Sequence, residues 1–401
     1  MSAIRSALVA GGGIAGPVVA TALLKAGIDA RVYEAYPGPS HGIGSGLALA
    51  PNGLAALDLL DAGDPVREIA VPVSAMMLAV GGRAHRLPVA EGEPPLQVVD
   101  RAALHTVLHE RAVAAGVPVH YGKRLVGVDE HADGVTARFA DGSTATADIL
   151  VGADGIRSAV RTLIDPAAPG PDYTGLLGFG ATVECEVPAP PETMVFAYGK
   201  RAYYLYWADR DGRVGWGANL PHQRYLTLSQ ARQVPAERWL EILRETYGAD
   251  TPGGELTRRT RPDQLEIVGG LHIMPPVPHW FRDRMVLVGD AVHAPSNSSG
   301  QGASLAVESA VQLARCLRDL PDPVSAFTAY ERLRRPRVEV IAARAARINR
   351  TKAPGPVGRA VMNLLMPVMA RTVMKPDERT AAERGYRIDW AAPVQRELVG
   401  G

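Results

Sequence analysis

"SALVAGGGIAGPVVATALLKAGIDARVYEAY", residues 6–36, changes its hydrophobic period twice. The run Ala7–Ala10 is apolar without interruption, as a strand buried on both faces is. Three glycines follow, then apolar residues at helical spacing, then a second short run ending at Glu34. The pattern is strand, tight turn, helix, strand. Gly11, Gly13 and Gly16 fall on the G-x-G-x-x-G positions. The first glycine permits the turn, the second lets backbone approach a pyrophosphate, and the third lets helix and strand pack closely. Pro17 is tolerated in a first helical turn, where its missing N–H had no partner, and Gly27 ends the helix. Glu34 arrives where a carboxylate accepts hydrogen bonds from ribose hydroxyls. The stretch therefore reads as a dinucleotide clamp. A competing reading is a signal peptide or membrane span, since residues 7–24 carry no charge. Four glycines and a proline make that stretch too poor a helix.

The rest of the composition narrows the class. A chain of 401 residues exceeds what one hydrophobic core usually serves, so two domains and a tail are expected. A net charge of +1 offers no electrostatic footprint for nucleic acid. Cys185 and Cys316 are far apart and outside any CxxC, which points to a reducing cytoplasm. His105 and His109 share a helix face but lack a third ligand, so no metal is expected.

"MVLVGDAVHAPSNSSGQGASLAVESA", residues 285–310, selects among dinucleotides. A buried strand stops at Gly289-Asp290, a polar loop follows, and a helix begins at Gly302 or Ala303. The Asp290 carboxylate then lies at the carboxyl edge of a parallel sheet, where it can accept a ribityl hydroxyl of FAD. The amides of Gly302 and Ala303 face what precedes the helix, where negative charge on a reduced flavin is stabilised.

Together with the clamp, this segment resembles the FAD-binding motifs of the group A, single-component flavoprotein monooxygenases. "DILVGADGIRSAVR" (148–161) resembles their Asp-Gly motif, which in the family serves FAD and nicotinamide cofactor alike. "GIGSGLALAPNGLAALDLL" (42–60) resembles the flavin-facing loop and following helix, and "VVDRAALHTVL" (98–108) the helix whose arginine contacts FAD. "YERLRRPRVEVI" (330–341) is similar to the helix closing the FAD domain.

The resemblance implies a Rossmann-type FAD-binding domain with a parallel sheet, an inserted antiparallel-sheet substrate domain, and C-terminal helices. The expected pieces are 1–72, 97–170 and 281–353 for the FAD domain, 73–96 and 171–280 for the substrate domain, and 354–401 for the tail. The expected cofactor contacts are Gly11, Gly13, Ala15, Gly16, Glu34, Arg101, Leu125, Asp154, Asp290, Gly300, Gly302 and Ala303. NADPH or NADH is the expected transient reductant. Oxygen transfer through a C4a-hydroperoxyflavin would hydroxylate or epoxidise an electron-rich small molecule, aromatic or polyketide-like.

The family usually has proline where this chain has Asn297, and Pro295 stands two positions early. Asn297 brings a donor and an acceptor to a normally apolar spot. It keeps two alternatives open: a cyclase or binding protein with a structural flavin, or a flavin oxidase or dehydrogenase. Asn297 and His293 are the catalytic candidates. Leu47, Tyr204, Tyr206 and Trp216 are the substrate-pocket candidates, Tyr204 and Tyr206 because they share one face of an expected strand. The methionine-bearing stretch 354–376 reads as a helix, and the arginines between Arg332 and Arg350 as a solvated helix face.

Overall fold

The computed structural model describes residues 4–38, 46–89, 92–209, 211–351 and 378–399. Residues 42–45 of the flavin-facing loop and the expected helix within 354–376 lie outside the described residues.

Strand Ser6–Ala10 pairs in parallel with Asp29–Tyr33 on one side and Ile149–Gly152 on the other. Met285–Leu287 extends the sheet in parallel beyond Ile149–Gly152, and Phe281–Arg282 closes that edge antiparallel. Val119–His120 completes the six strands at the opposite edge. Four uncharged, fully buried residues at Ala7–Ala10 explain the central place of the first strand. Helix Ala15–Lys25 and helix Gly302–Asp319 pack together over this sheet and share its core.

The second large sheet has seven strands in the order Glu266–Ile273, Asp172–Glu184, Arg213–Pro221, Tyr203–Ala208, Thr193–Tyr198, Ala75–Val80, Arg83–Leu87. Its pairs are antiparallel except Thr193–Tyr198 with Ala75–Val80. Residues 75–87 thus cross from the first half of the chain to build two strands of this sheet. One face packs on helix Ala236–Tyr247 through Trp239, Leu240, Leu243 and Tyr247.

The arginine-rich helix Pro323–Thr351 corrects an expectation. Arg334 is fully buried and pairs with Glu308, equally buried, at 2.6 Å. Arg337 reaches the same carboxylate at 2.9 Å, and Asn52 donates to it at 2.6 Å. Burial alone would raise the Glu308 pKa, yet the two guanidiniums hold it below the usual carboxylate range. One face of this helix is therefore a charged core, because Glu308 supplies the buried partner that each desolvated arginine requires.

Candidate active site

The two large sheets enclose a cavity of about 1420 Å³. At one end stands the glycine turn. Gly11 has φ of +101°, and a Cβ there would lie 2.5 Å from the Ala153 carbonyl oxygen. A Cβ on Gly16 would come within 1.9 Å of the Gly11 carbonyl oxygen, so this glycine sets helix–strand packing and is not on the wall. Gly13 has open space where a side chain would project. Glu34 anchors the turn: its carboxylate accepts from the Gly12 N–H at 2.6 Å and from the Tyr36 N–H at 2.9 Å. His105 Nε2 lies 2.8 Å from the Gly12 carbonyl oxygen and donates to it, buttressing the turn from outside.

Eleven of the twelve expected cofactor contacts, all but Gly16, border this single cavity. The Asp154 carboxylate is occupied locally, accepting from the Ser158 hydroxyl and the amides of Ala159 (2.7 Å) and Val160 (3.1 Å). It caps the short helix Ala159–Ile164, so its backbone, more than its charge, faces the cavity. Asp290 differs. No hydrogen bond reaches its carboxylate among the described residues; burial pushes its pKa up and the Arg101 charge draws it down. Buried Arg161 fixes the Asp290 turn by donating to the Ala291 carbonyl at 2.8 Å. Helix Gly302–Asp319 opens its first turn onto the wall, with the space beside Gly302 empty. Gln301, just before it, accepts from Asn52 at 3.0 Å.

The family profile described as "FAD binding domain" matches residues 5–345. The chain belongs to the group A FAD-dependent monooxygenase family. An FAD-dependent urate hydroxylase of Klebsiella pneumoniae is 30% identical over 343 residues, 83% of this chain and 86% of the relative. An aurachin C monooxygenase/isomerase of Stigmatella aurantiaca is 28% identical, covering 82% and 84%. The crystal structure of Klebsiella pneumoniae HpxO with FAD and uric acid superposes with a TM-score of 0.78 at 27% identity, covering 94% of each chain.

The monooxygenase's own residues fit FAD. The open space at Gly13, the unsatisfied Asp290 carboxylate and the exposed helix start at Gly302 are a phosphate approach, a hydroxyl acceptor and an anion-stabilising end along one cavity.

At the other end of the cavity, three of the expected residues need correcting. His293 is off the wall: it is buried, contacts Ser309 through Nε2 at 3.0 Å, and is neutral, its pKa pushed down to about 3 by burial and by Arg334. Tyr204 and Tyr206 point away from the cavity, into the aromatic core with Tyr247, whose ring meets Tyr204 at 5.5 Å. Trp216 borders the cavity, but its indole N–H donates to Thr260 on the far face. Leu47 and Asn297 do line the cavity.

The cavity face of the sheet is formed instead by Tyr203, Leu205 and Trp207, with Met194 and Phe196 beside them. These were missed because both faces of the strand are apolar, so alternation separates the faces without naming the ligand side. A usable signal was present. Gly215 and Gly217 lie opposite Trp207 and Leu205, and strand glycines mark a close approach. A Cβ on Gly215 would sit 2.2 Å from the Trp207 ring.

Proposed function

We propose that this monooxygenase uses FAD, NADPH or NADH, and O2 to hydroxylate or epoxidise an electron-rich, aromatic or polyketide-like small molecule. The observation that carries the reading is the continuity of one cavity wall, from the glycine turn to the apolar sheet face. Its volume of about 1420 Å³ exceeds the roughly 300–1,000 Å³ of ordinary ligand pockets, leaving room for cofactor and substrate together.

FAD bound along this wall would supply the redox and oxygen-activating chemistry. The chain does the rest. Gly11, Gly13 and Ala15 receive the pyrophosphate, Glu34 and Asp290 accept hydroxyls, and Arg101 offsets charge at Asp290. The amides of Gly302 and Ala303 stabilise negative charge by about 0.3–1 kcal/mol. Leu205, Phe196 and Trp207 hold the substrate and exclude water. Of the two catalytic candidates, Asn297 borders the cavity and His293 does not, which supports Asn297 as the one that meets the reacting centre. The division into FAD pieces 1–72, 97–170 and 281–353, substrate pieces 73–96 and 171–280, and a tail from 354 belongs to the same proposal.

The test is turnover under ¹⁸O2. The expected result is NAD(P)H oxidation stimulated by substrate, with one labelled oxygen atom in the product. Product without label, or turnover with no nicotinamide, overturns the reading.

A further inference from the structure

The apolar sheet face is graded. Gly178, Asn219, Tyr203 and Tyr198 lie side by side across four strands and all border the cavity. The next row toward the other end of the sheet is Gly217, Leu205, Phe196 and Leu78, without a polar side chain. Polar groups are thus gathered in one row, and Asn297 meets that row: its Nδ2 donates to Asn219 Oδ1 at 3.4 Å.

Asn219 is 6% exposed, and its own Nδ2 has no partner among the described residues. An amide N–H2 buried without an acceptor is costly unless a ligand completes it. The χ2 torsion of asparagine is soft, so a modest rotation brings that donor to a ligand oxygen.

Charge argues about the rest of the ligand. The arginines beside the apolar rows are already matched: Arg384 with Glu93 at 2.9 Å, and Arg344 with Glu383. Arg157 donates to the Tyr225 hydroxyl and lies over its ring. Burial and the charge of Arg157 push the His272 pKa below the ordinary imidazole value. Among the described residues, the arginines beside these rows each already have a partner, so a carboxylate on the substrate would meet no spare cation there.

We propose that the Asn219–Asn297 amide pair is a specificity device that reads one neutral oxygen acceptor, a ring carbonyl or phenolic oxygen, on a bulky uncharged substrate. This rests on the substrate-cavity reading above and adds the chemical class of the ligand.

The test is binding to the FAD-loaded enzyme without nicotinamide, followed by perturbation of the flavin absorbance. The probes are 1-tetralone, 2-naphthol, naphthalene and 2-naphthoate, which share a fused-ring body and differ in the oxygen group. The two neutral oxygen-bearing probes should bind about five- to tenfold more tightly than naphthalene, the worth of one neutral hydrogen bond. The carboxylate should bind at least ~10-fold more weakly than 2-naphthol. Asn219→Ala should erase the preference for 1-tetralone over naphthalene, and Asn219→Ser should restore part of it; flavin content reports whether each variant is folded. Tightest binding by 2-naphthoate, an equal loss for all four probes in Asn219→Ala, or no binding by any probe overturns the proposal. Since no turnover is measured, failure of oxygen transfer and failure of this discrimination are separate results.

Discussion

The glycine turn and the seven-stranded sheet wall the same cavity by opposite physical means. At Gly11 and Gly16 the limit is backbone against backbone: an added methyl would lie 2.5 Å from the Ala153 carbonyl oxygen and 1.9 Å from that of Gly11. Along Tyr203–Ala208 the limit is side-chain packing, and it applies to one face only. Tyr204 and Tyr206 are locked in a ring cluster, whereas Leu205 and Trp207 are half-buried against open space. The first wall has one solution. The second has a fixed outer face and an adjustable inner one, an arrangement that lets substrate change while cofactor binding stays constant.

The largest expected effect strikes the packing behind the rigid wall. Gly16→Ala should cost at least ~3 kcal/mol, since neither carbonyl nor helix can shift without opening the sheet. Purification should yield protein without flavin colour; a yellow, stable Gly16→Ala enzyme would show that the close approach is not required.

Next comes a paired substitution on adjacent residues. Tyr206→Ala should lower stability by about 3–5 kcal/mol, a large ring removed from a packed core. Leu205→Ala borders the cavity and should cost under ~1.5 kcal/mol while changing the affinity for 2-naphthol. Urea unfolding measures the first difference and flavin-perturbation titration the second; equal destabilisation would erase the two-faced description.

The smallest effect lies at the seam between the regions. Glu266, on the edge strand, has its pKa raised to about 7, first by burial and then by the charge of Asp100, which caps the helix bearing Arg101. An acid with a raised folded-state pKa is neutral in both states at low pH and penalises the folded state as it ionises. Stability should therefore fall between about pH 4.5 and pH 7 and level off above. Glu266→Gln should match wild type at pH 4.5 and exceed it by about 1–2 kcal/mol at pH 8, discounted because the group is only half-buried. Equal urea midpoints at pH 8 would refute it.

The same division governs what the sequence discloses. The clamp is legible because glycine spacing, a strand of Ala7–Ala10 and a terminal Glu34 each admit one geometry, and the position of Asp290 follows from strand-end logic. The sheet face was misassigned because tyrosines at 204 and 206 and the residues at 203, 205 and 207 are equally apolar; only Gly215 and Gly217 break the tie. His293 entered as a catalytic candidate through the family resemblance, whereas its place beside the Gly-Asp motif suggests a structural role, and its buried contact with Ser309 agrees with the latter. The Glu308–Arg334–Arg337–Asn52 cluster was hidden because arginines at helical spacing look solvated until a buried carboxylate from another helix is found for them.

Ser304 accepts the Ala50 amide at 3.0 Å, and Glu308 accepts from Asn52. A ribosome adding roughly 5–20 residues per second delivers these partners on the order of ten to fifty seconds after residue 52 emerges. Until then the nascent glycine turn has no opposing helix end, so capture of the cofactor waits until the helix Gly302–Asp319 has been made, and a message truncated before that point yields a polypeptide unable to retain it.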